Sequence, residues 1–423
     1  MAASLADLGA ARVRREPPAE ERARGRRLAG PTLFILAAVL FLGFGSRTIS
    51  APFGDSHDGR NAGVWAAGSR SLRESGPIAS WLGTRSPEIG VYANHPPLIY
   101  LETALAELVG AHSTASTRAP AWLGSVVALA LVARLLRQRG LHPIAAGLAA
   151  LLVAATPMFL VFGTMLDTPV TSLPFGVGLL LVWERARAGH TVRPLLAGML
   201  AALAVLAGWQ SLLLAGLISG WAVVRVLRRR GRREVEVAFA IGGLAGAAIV
   251  LAWLLWAFDG TLRPLVDQFR FRTGVSAESA RIGTVLAAQR RDMRALFGVV
   301  GLLAVAGLVA ALRDRRTRGL ALVALAVTVP YPLLFRSGAV NHNYWGYWFV
   351  LPLAIGFGAG ADRLLVYWRS SGRRESVLAV AGAVMGTVLI GGAWVVMPHA
   401  EWQKVESIRA AHATADVSLD PAQ

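Results

Sequence analysis

The chain has 423 residues, 55% of them hydrophobic and only 16% charged, with a mean hydropathy of +0.51 and a formal charge of +18. Soluble domains average about 25% charged residues, so this composition excludes an ordinary soluble globular protein. With no cysteine, a disulfide framework and a thiolate metal site are excluded as well. The positive charge does not describe a nucleic-acid surface. Arginines sit mainly in short loops between apolar runs, where the positive-inside rule puts them, and report topology and contact with anionic lipid. Every basic residue except Lys404 is an arginine, a mark of genomic composition bias.

Residues 1–27 carry Arg12, Arg14, Arg15, Arg22, Arg24, Arg26 and Arg27 with Pro17-Pro18, and read as a disordered basic cytoplasmic arm. The first apolar run, Leu28 to Gly45, ends without an Ala-x-Ala cleavage motif, so it reads as a retained helix rather than a signal peptide. Further apolar runs cover about 118–136, 143–163, 169–187, 194–208, 211–227, 235–258, 295–312, 319–335, 346–362 and 376–397. The run 97–111 is ambiguous, being short and interrupted by Glu102 and Glu107. If it crosses the membrane, the clusters Arg134/Arg137/Arg139 and Arg228–Arg233 fall outside. If it lies along the outer surface, well over half of the 43 basic residues fall in cytoplasmic loops, as the orientation rule requires. The expected fold is therefore an all-α polytopic membrane protein of about 11 transmembrane helices. Its N-terminus is inside and its C-terminus outside, with interfacial helices in the first outer loop. The transmembrane domain covers 28–397, and 398–423 is a short outer tail.

This topology collects the distinctive polar segments on one face: the first outer loop 47–117, the turn 163–167, the turn at Gly208-Trp209-Gln210, the loop 259–294 and the loop 336–345. Loops in compact domains usually run ~4–6 residues, and much longer ones are commonly functional. In the first loop, Asp58 follows Ser56-His57 and precedes Gly59-Arg60-Asn61 and a helix-like stretch, Ala62 to Glu74. A partly dehydrated carboxylate there can take a proton from an alcohol; equally, Asp before a helix is a common N-cap. Asp167 lies at the outer end of an apolar run, before Thr168-Pro169. An ionisable group at that depth is costly and a functional candidate, although Pro169 near a first helical turn also fits a cap.

His95, before Pro96-Pro97, can donate to a phosphate or pack on Tyr92. Near the tenth span, Asn341-His342-Asn343-Tyr344 precedes Trp345, Tyr347 and Trp348. The aromatics suit an interfacial belt, whereas the Asn-His-Asn triplet suggests sugar or phosphate contact. Arginines of the 259–294 loop, Arg270 and Arg272 among them, suit a phosphate-bearing partner or lipid headgroups. Walker and zinc-protease patterns are absent, and no segment is large enough for a soluble nucleotide-sugar domain.

An Asp just after the first span, a helical loop ending in His-Pro-Pro-Leu and a second Asp after the third span resemble the GT-C integral-membrane glycosyltransferases. The nearest type is the protein O-mannosyltransferase and aminoarabinose transferase group. The resemblance covers about residues 28–230, with Asn-His-x-Tyr near 341–347. It implies a sugar donor on a polyprenyl phosphate, a lipid tail held among the helices, and inverting transfer to an acceptor hydroxyl on the outer face of the plasma (inner) membrane. By position, Asp58 resembles the catalytic base, His95 the phosphate-contacting position, and Asp167 the second acidic residue that organises the donor phosphate or a divalent ion. Asn61, Tyr92, Asn341, His342, Asn343 and Tyr344 are then substrate-contact candidates, and Arg270 and Arg272 donor-phosphate candidates. No cofactor is assigned; a divalent metal ion would have only Asp58, Asp167 and His342 to draw on. The partners implied are the lipid-linked donor, a glycan, lipid or protein acceptor, and membrane lipid, with no nucleic acid. Two features depart from the pattern: Gly59 stands where many members have Glu, and no large C-terminal domain follows the spans. A lipid or lipid-linked sugar flippase, or a non-catalytic assembly subunit, are the competing expectations.

Overall fold

The computed structural model describes residues 19–47, 49–50, 52–53, 57–110, 112–273, 281–371 and 375–390. The chain is a polytopic all-α membrane protein. Its elements in order are α1 (Ala19–Gly45), α2 (His57–Ala79), a two-residue antiparallel pair β1 (Arg85–Ser86) and β2 (Gly90–Val91), α3 (Leu98–Val109), α4 (Thr114–Gln138), α5 (Pro143–Ala154), α6 (Pro157–Phe162), α7 (Thr168–Thr171), α8 (Leu173–Arg187), α9 (Pro194–Ala207), α10 (Trp209–Leu227), α11 (Arg233–Ala257), α12 (Arg263–Thr273), α13 (Ile282–Arg313), α14 (Arg318–Thr328), α15 (Pro330–Leu334), α16 (Arg336–Asn341), a 3-10 turn (Asn343–Phe349), α17 (Val350–Ser370) and α18 (Glu375–Ile390).

Five described helices are long and apolar enough to cross a bilayer, or six if the bent α13 counts as one span. Several other apolar runs are shorter or broken. In the 143–163 run, Thr156 caps a new helix at Pro157, its side chain accepting from the Phe159 N–H. The proline cannot donate to the preceding turn, which splits the run into α5 and α6. α13 is bent by 99° at Gly298, whose φ of 53° glycine adopts without a Cβ penalty.

The core is built of apolar faces on small residues. α1 packs on α5, α5 and α13 on α17, α4 on α8, and α9 on α10 and α11. Without water to drive helices together, association in lipid depends on close backbone approach. A Cβ at Gly242 would overlap the Gly198 carbonyl, and one at Gly307 the Gly356 carbonyl.

The polar contacts separate into two ends of the bundle. At one end lie α2, α3, α7, α12, α16 and the 3-10 turn. At the other, arginine-rich loops are tied to buried carboxylates. Arg139 Nη1 donates to Glu184 at 2.8 Å, Arg316 Nη2 to Asp362 at 2.7 Å, Arg225 Nε to Glu236 at 2.6 Å, and Arg369 pairs with Glu375. α3 has 12 residues, about 18 Å at 1.5 Å each, too short to cross the hydrocarbon. Both its ends stay at the first end: His95, just before it, meets Thr168, and Glu107, near its close, accepts from Thr117 at 2.6 Å and pairs with Arg73 at 3.1 Å.

Candidate active site

The site forms where a cap at the start of α7 meets α2 and the segment before α3. α6 stops at Gly163, and Asp167 N-caps α7, its Oδ1 accepting the Thr168 backbone N–H at 2.6 Å. The cap uses one carboxyl oxygen; the other, Oδ2, accepts from Asn61 Nδ2 at 2.7 Å. Asn61 also donates to the Tyr344 hydroxyl at 3.3 Å, and Tyr344 itself bonds Asp167. Residues 61, 167 and 344 are therefore brought together. Burial pushes the Asp167 carboxyl up to about 6, against the Thr168 N–H, the Tyr344 and Thr168 hydroxyls and the Arg272 charge, which favour its ionised form.

His95 is buried beside this cluster. Pro96 and Pro97 follow it, neither with an N–H to bury, and α3 begins at Leu98. Thr168 Oγ1 lies 3.0 Å from His95 Nδ1, while Trp65 stands edge-on to the ring at 5.8 Å and Tyr92 is tilted over it at 6.0 Å. Trp209 Nε1 donates to the Asn94 carbonyl at 2.8 Å and pins the segment to α10. Burial, with the charges of Arg272 and His342, pushes His95 down to about 3, so the ring is neutral.

A cavity of about 270 Å³ opens beside His95, lined by Asn94, Trp209, Gln268, Arg272, Phe335 and Trp345 among others. The Arg272 guanidinium lies 5.2 Å from the Trp345 ring centre, and His342 stacks on the same indole at 5.4 Å. α12 turns Leu265, Val266, Gln268, Phe269 and Arg272 to the cavity, and Arg270 away to the surface. Asn341 is exposed and Asn343 half-buried; neither lines the cavity. Asp58 lies in the first turn of α2, one turn before Asn61, and its side chain lies outside the described residues.

Thr168 and Trp209 are contributors that sequence reasoning did not assign. The cap pattern Asp-Thr-Pro could have drawn attention to Thr168; nothing local connects Trp209 with Asn94. Among the described residues no cluster of three or more His, Asp or Glu side chains is placed to hold a metal ion. Both Asp167 oxygens accept from protein donors.

A second, larger space of about 790 Å³ is an apolar groove between α3, α4, α8 and α9, with Glu102 the one ionisable residue lining it among the described residues. It runs along α4 from Ser116 to Leu131 and along α8 from Pro174 to Val182, roughly 23 Å at 1.5 Å per residue. Thr171 of α7 lines the groove while Thr168, one turn earlier, faces His95. α7 thus stands between the groove and His95.

Residues 94–256 match a family model described as dolichyl-phosphate-mannose-protein mannosyltransferase. No match is found among curated proteins. Among solved structures, the chain is similar to the Archaeoglobus fulgidus oligosaccharyltransferase in the apo form, with a TM-score of 0.57 and 15% identity over 86% of this chain and 56% of that one. It is also similar to ArnT from Cupriavidus metallidurans bound to undecaprenyl phosphate, with a TM-score of 0.57 and 17% identity over 89% of this chain and 73% of that one. The chain thus spans just over half the length of the archaeal enzyme. It has the fold of the GT-C integral-membrane glycosyltransferases, and its residues 94–256 carry the match to the dolichyl-phosphate-mannose-protein mannosyltransferase family.

Proposed function

We propose that the chain transfers a sugar from a polyprenyl-phosphate donor to an acceptor hydroxyl, with inversion, at the extracytoplasmic face of the plasma membrane. The observation that carries this reading is the hydrogen-bonded run Asn61–Asp167–Thr168–His95, set against a cationic, aromatic cavity at the end of the bundle away from the arginine-rich loops. The sidedness rests on the arginine distribution.

In this reading Asp58 takes the proton of the acceptor hydroxyl as its oxygen attacks the anomeric carbon. The bond to the phosphate oxygen breaks on the opposite side, and the phosphate leaves with its negative charge. A buried, neutral His95 N–H and the Arg272 guanidinium are the groups suited to that charge. The donor is already activated, so no nucleotide site is needed. Asp167 holds Asn61, and through Asn61 the first turns of α2, in register with His95.

The apolar groove accommodates the polyprenyl chain. Its hydrocarbon lining fits an isoprenoid tail, and its separation from His95 by α7 alone brings a phosphate within reach of the site. An Archaeoglobus fulgidus oligosaccharyltransferase structure contains a dolichol-phosphate, and the Cupriavidus metallidurans ArnT structure an undecaprenyl phosphate, which supports a lipid-phosphate ligand here. Transfer of labelled sugar from polyprenyl phosphate by the purified protein, compared with Asp58→Asn and Asp167→Asn, tests the proposal. Retained transfer in both variants would remove the catalytic assignment, and lipid translocation without transfer would favour a flippase.

A further inference from the structure

We propose that Thr168 is a positioning residue that fixes His95 as the neutral tautomer protonated on Nε2, so that the ring presents an N–H donor to the cavity. The geometry comes from the cap at α7. Thr168 Oγ1 is 3.0 Å from His95 Nδ1 and 3.4 Å from Asp167 Oδ1. A hydroxyl has one proton to donate, and the two acceptors compete for it.

The carboxylate has little need of that proton. Its Oδ1 holds the Thr168 N–H at 2.6 Å, its Oδ2 holds Asn61 Nδ2 at 2.7 Å, and Tyr344 adds a third donor. The shorter contact, to Nδ1, therefore receives the hydroxyl proton. Nδ1 then acts as an acceptor, and in a neutral imidazole the ring proton must sit on Nε2, because the bond made by one nitrogen sets the state of the other. The ring stays neutral because it is buried: Trp65 and Tyr92 pack on it, and the nearby charges of Arg272 and His342 oppose a further positive charge. The acidic group facing the ring's partner, the capping Asp167, has its oxygens committed as above.

The consequence concerns the same site as the proposed transfer and rests on that reading for its use. A His95 ring protonated on Nδ1 would turn a lone pair toward the cavity and repel a phosphate oxygen. Fixing Nε2–H makes the residue a donor without the cost of burying an imidazolium. It also supplies a reason for threonine directly after the capping aspartate, where the cap itself needs only a backbone N–H.

The test uses the full chain, labelled with ¹⁵N- and ¹³C-histidine and reconstituted in lipid. His95→Gln identifies the His95 signals among the 8 histidines. Wild-type His95 is expected to be protonated on Nε2. Thr168→Val, which keeps the shape and loses the donor, is expected to lose that single tautomer, while Thr168→Ser retains it. In the transfer assay, Thr168→Val should lower kcat about tenfold or more, because the ring no longer holds its Nε2–H for a hydrogen bond to the charged leaving phosphate, and Thr168→Ser should stay close to wild type. A wild-type ring protonated on Nδ1, or a Thr168→Val ring with the wild-type tautomer, would overturn the proposal. Should Thr168→Val fail to fold, the wild-type spectrum decides alone, Nε2–H in favour and Nδ1–H against. The spectra are read without any sugar donor, so a failure of the glycosyl-transfer reading would show only in the kinetics.

Discussion

Replacing Asp167 by asparagine keeps the shape of the α7 cap and removes its charge. A carboxyl held at about 6 instead of its ordinary 3.8 disfavours the ionised form by about 3 kcal/mol. The sign follows from the direction of the shift. Protonated Asp167 is the form the fold prefers, so its contribution to stability is complete below about pH 3.8 and is lost as pH rises through about 6. The variant escapes that loss, although a single amide oxygen cannot serve both the Thr168 N–H and Asn61, at a cost of roughly 1 kcal/mol. Asp167→Asn should therefore be about 2 kcal/mol more stable than wild type at pH 7.5 and no more stable than it at pH 4, while sugar transfer is lost. Thermal unfolding in detergent, followed by the fluorescence of the 13 tryptophans, reads the difference at the two pH values. A variant destabilised equally at both would show the carboxylate to be a stabilising cap, and the burial argument would fail.

Transfer by wild type should rise through an apparent pKa near 6, from Asp167, with no further step from His95, which is held near 3; a pH–rate profile with a histidine-like step abolished by His95→Gln would contradict this. Arg272→Ala should raise the donor KM roughly tenfold to a hundredfold, the value of a charge-assisted hydrogen bond, with Arg272→Lys recovering only part; an unchanged KM would remove Arg272 from the phosphate site. Gly178→Trp fills the apolar groove, since a Cβ at Gly178 points at Leu131 and Leu200, 3.7 and 3.8 Å away. It should abolish co-purification of polyprenyl phosphate from a folded protein, and full retention of that lipid would place the tail elsewhere. At the other end, Arg139→Ala leaves Glu184, 1% exposed, without its principal partner and should cost about 3–5 kcal/mol; Glu184→Gln in the same background should restore thermal stability.

Apolar length and arginine placement carried most of the fold. They separated a polar, site-bearing end from an arginine-rich one, and the contacts of α2, α3, α7 and the 3-10 turn follow that division. Helix breaks inside apolar runs were harder to see, because Thr156-Pro157 interrupts the 143–163 run by local capping while hydropathy stays continuous. Asp167 was legible because a carboxylate in apolar surroundings is costly. Its partners were not, for Asn61 lies 106 residues before it and Tyr344 lies 283 residues after Asn61, and only packing joins them.

Helical periodicity could have sorted Arg270 from Arg272. Two residues apart on a helix are about 200° apart in direction, so only one can face a given cavity, and the series Leu265, Phe269, Arg272 marks which. Thr168 looked like an ordinary first-turn residue, since the role argued for it depends on a histidine 73 positions away.

The most direct measurement is transfer of a radiolabelled sugar from polyprenyl phosphate by purified protein in lipid, with Asp58→Asn and Asp167→Asn alongside. Transfer by wild type, lost in both variants while each still binds the lipid phosphate, is the expected result. Undiminished transfer in both, or lipid movement across the bilayer with no glycosidic product, would contradict a glycosyltransferase centred on Asp58 and Asp167.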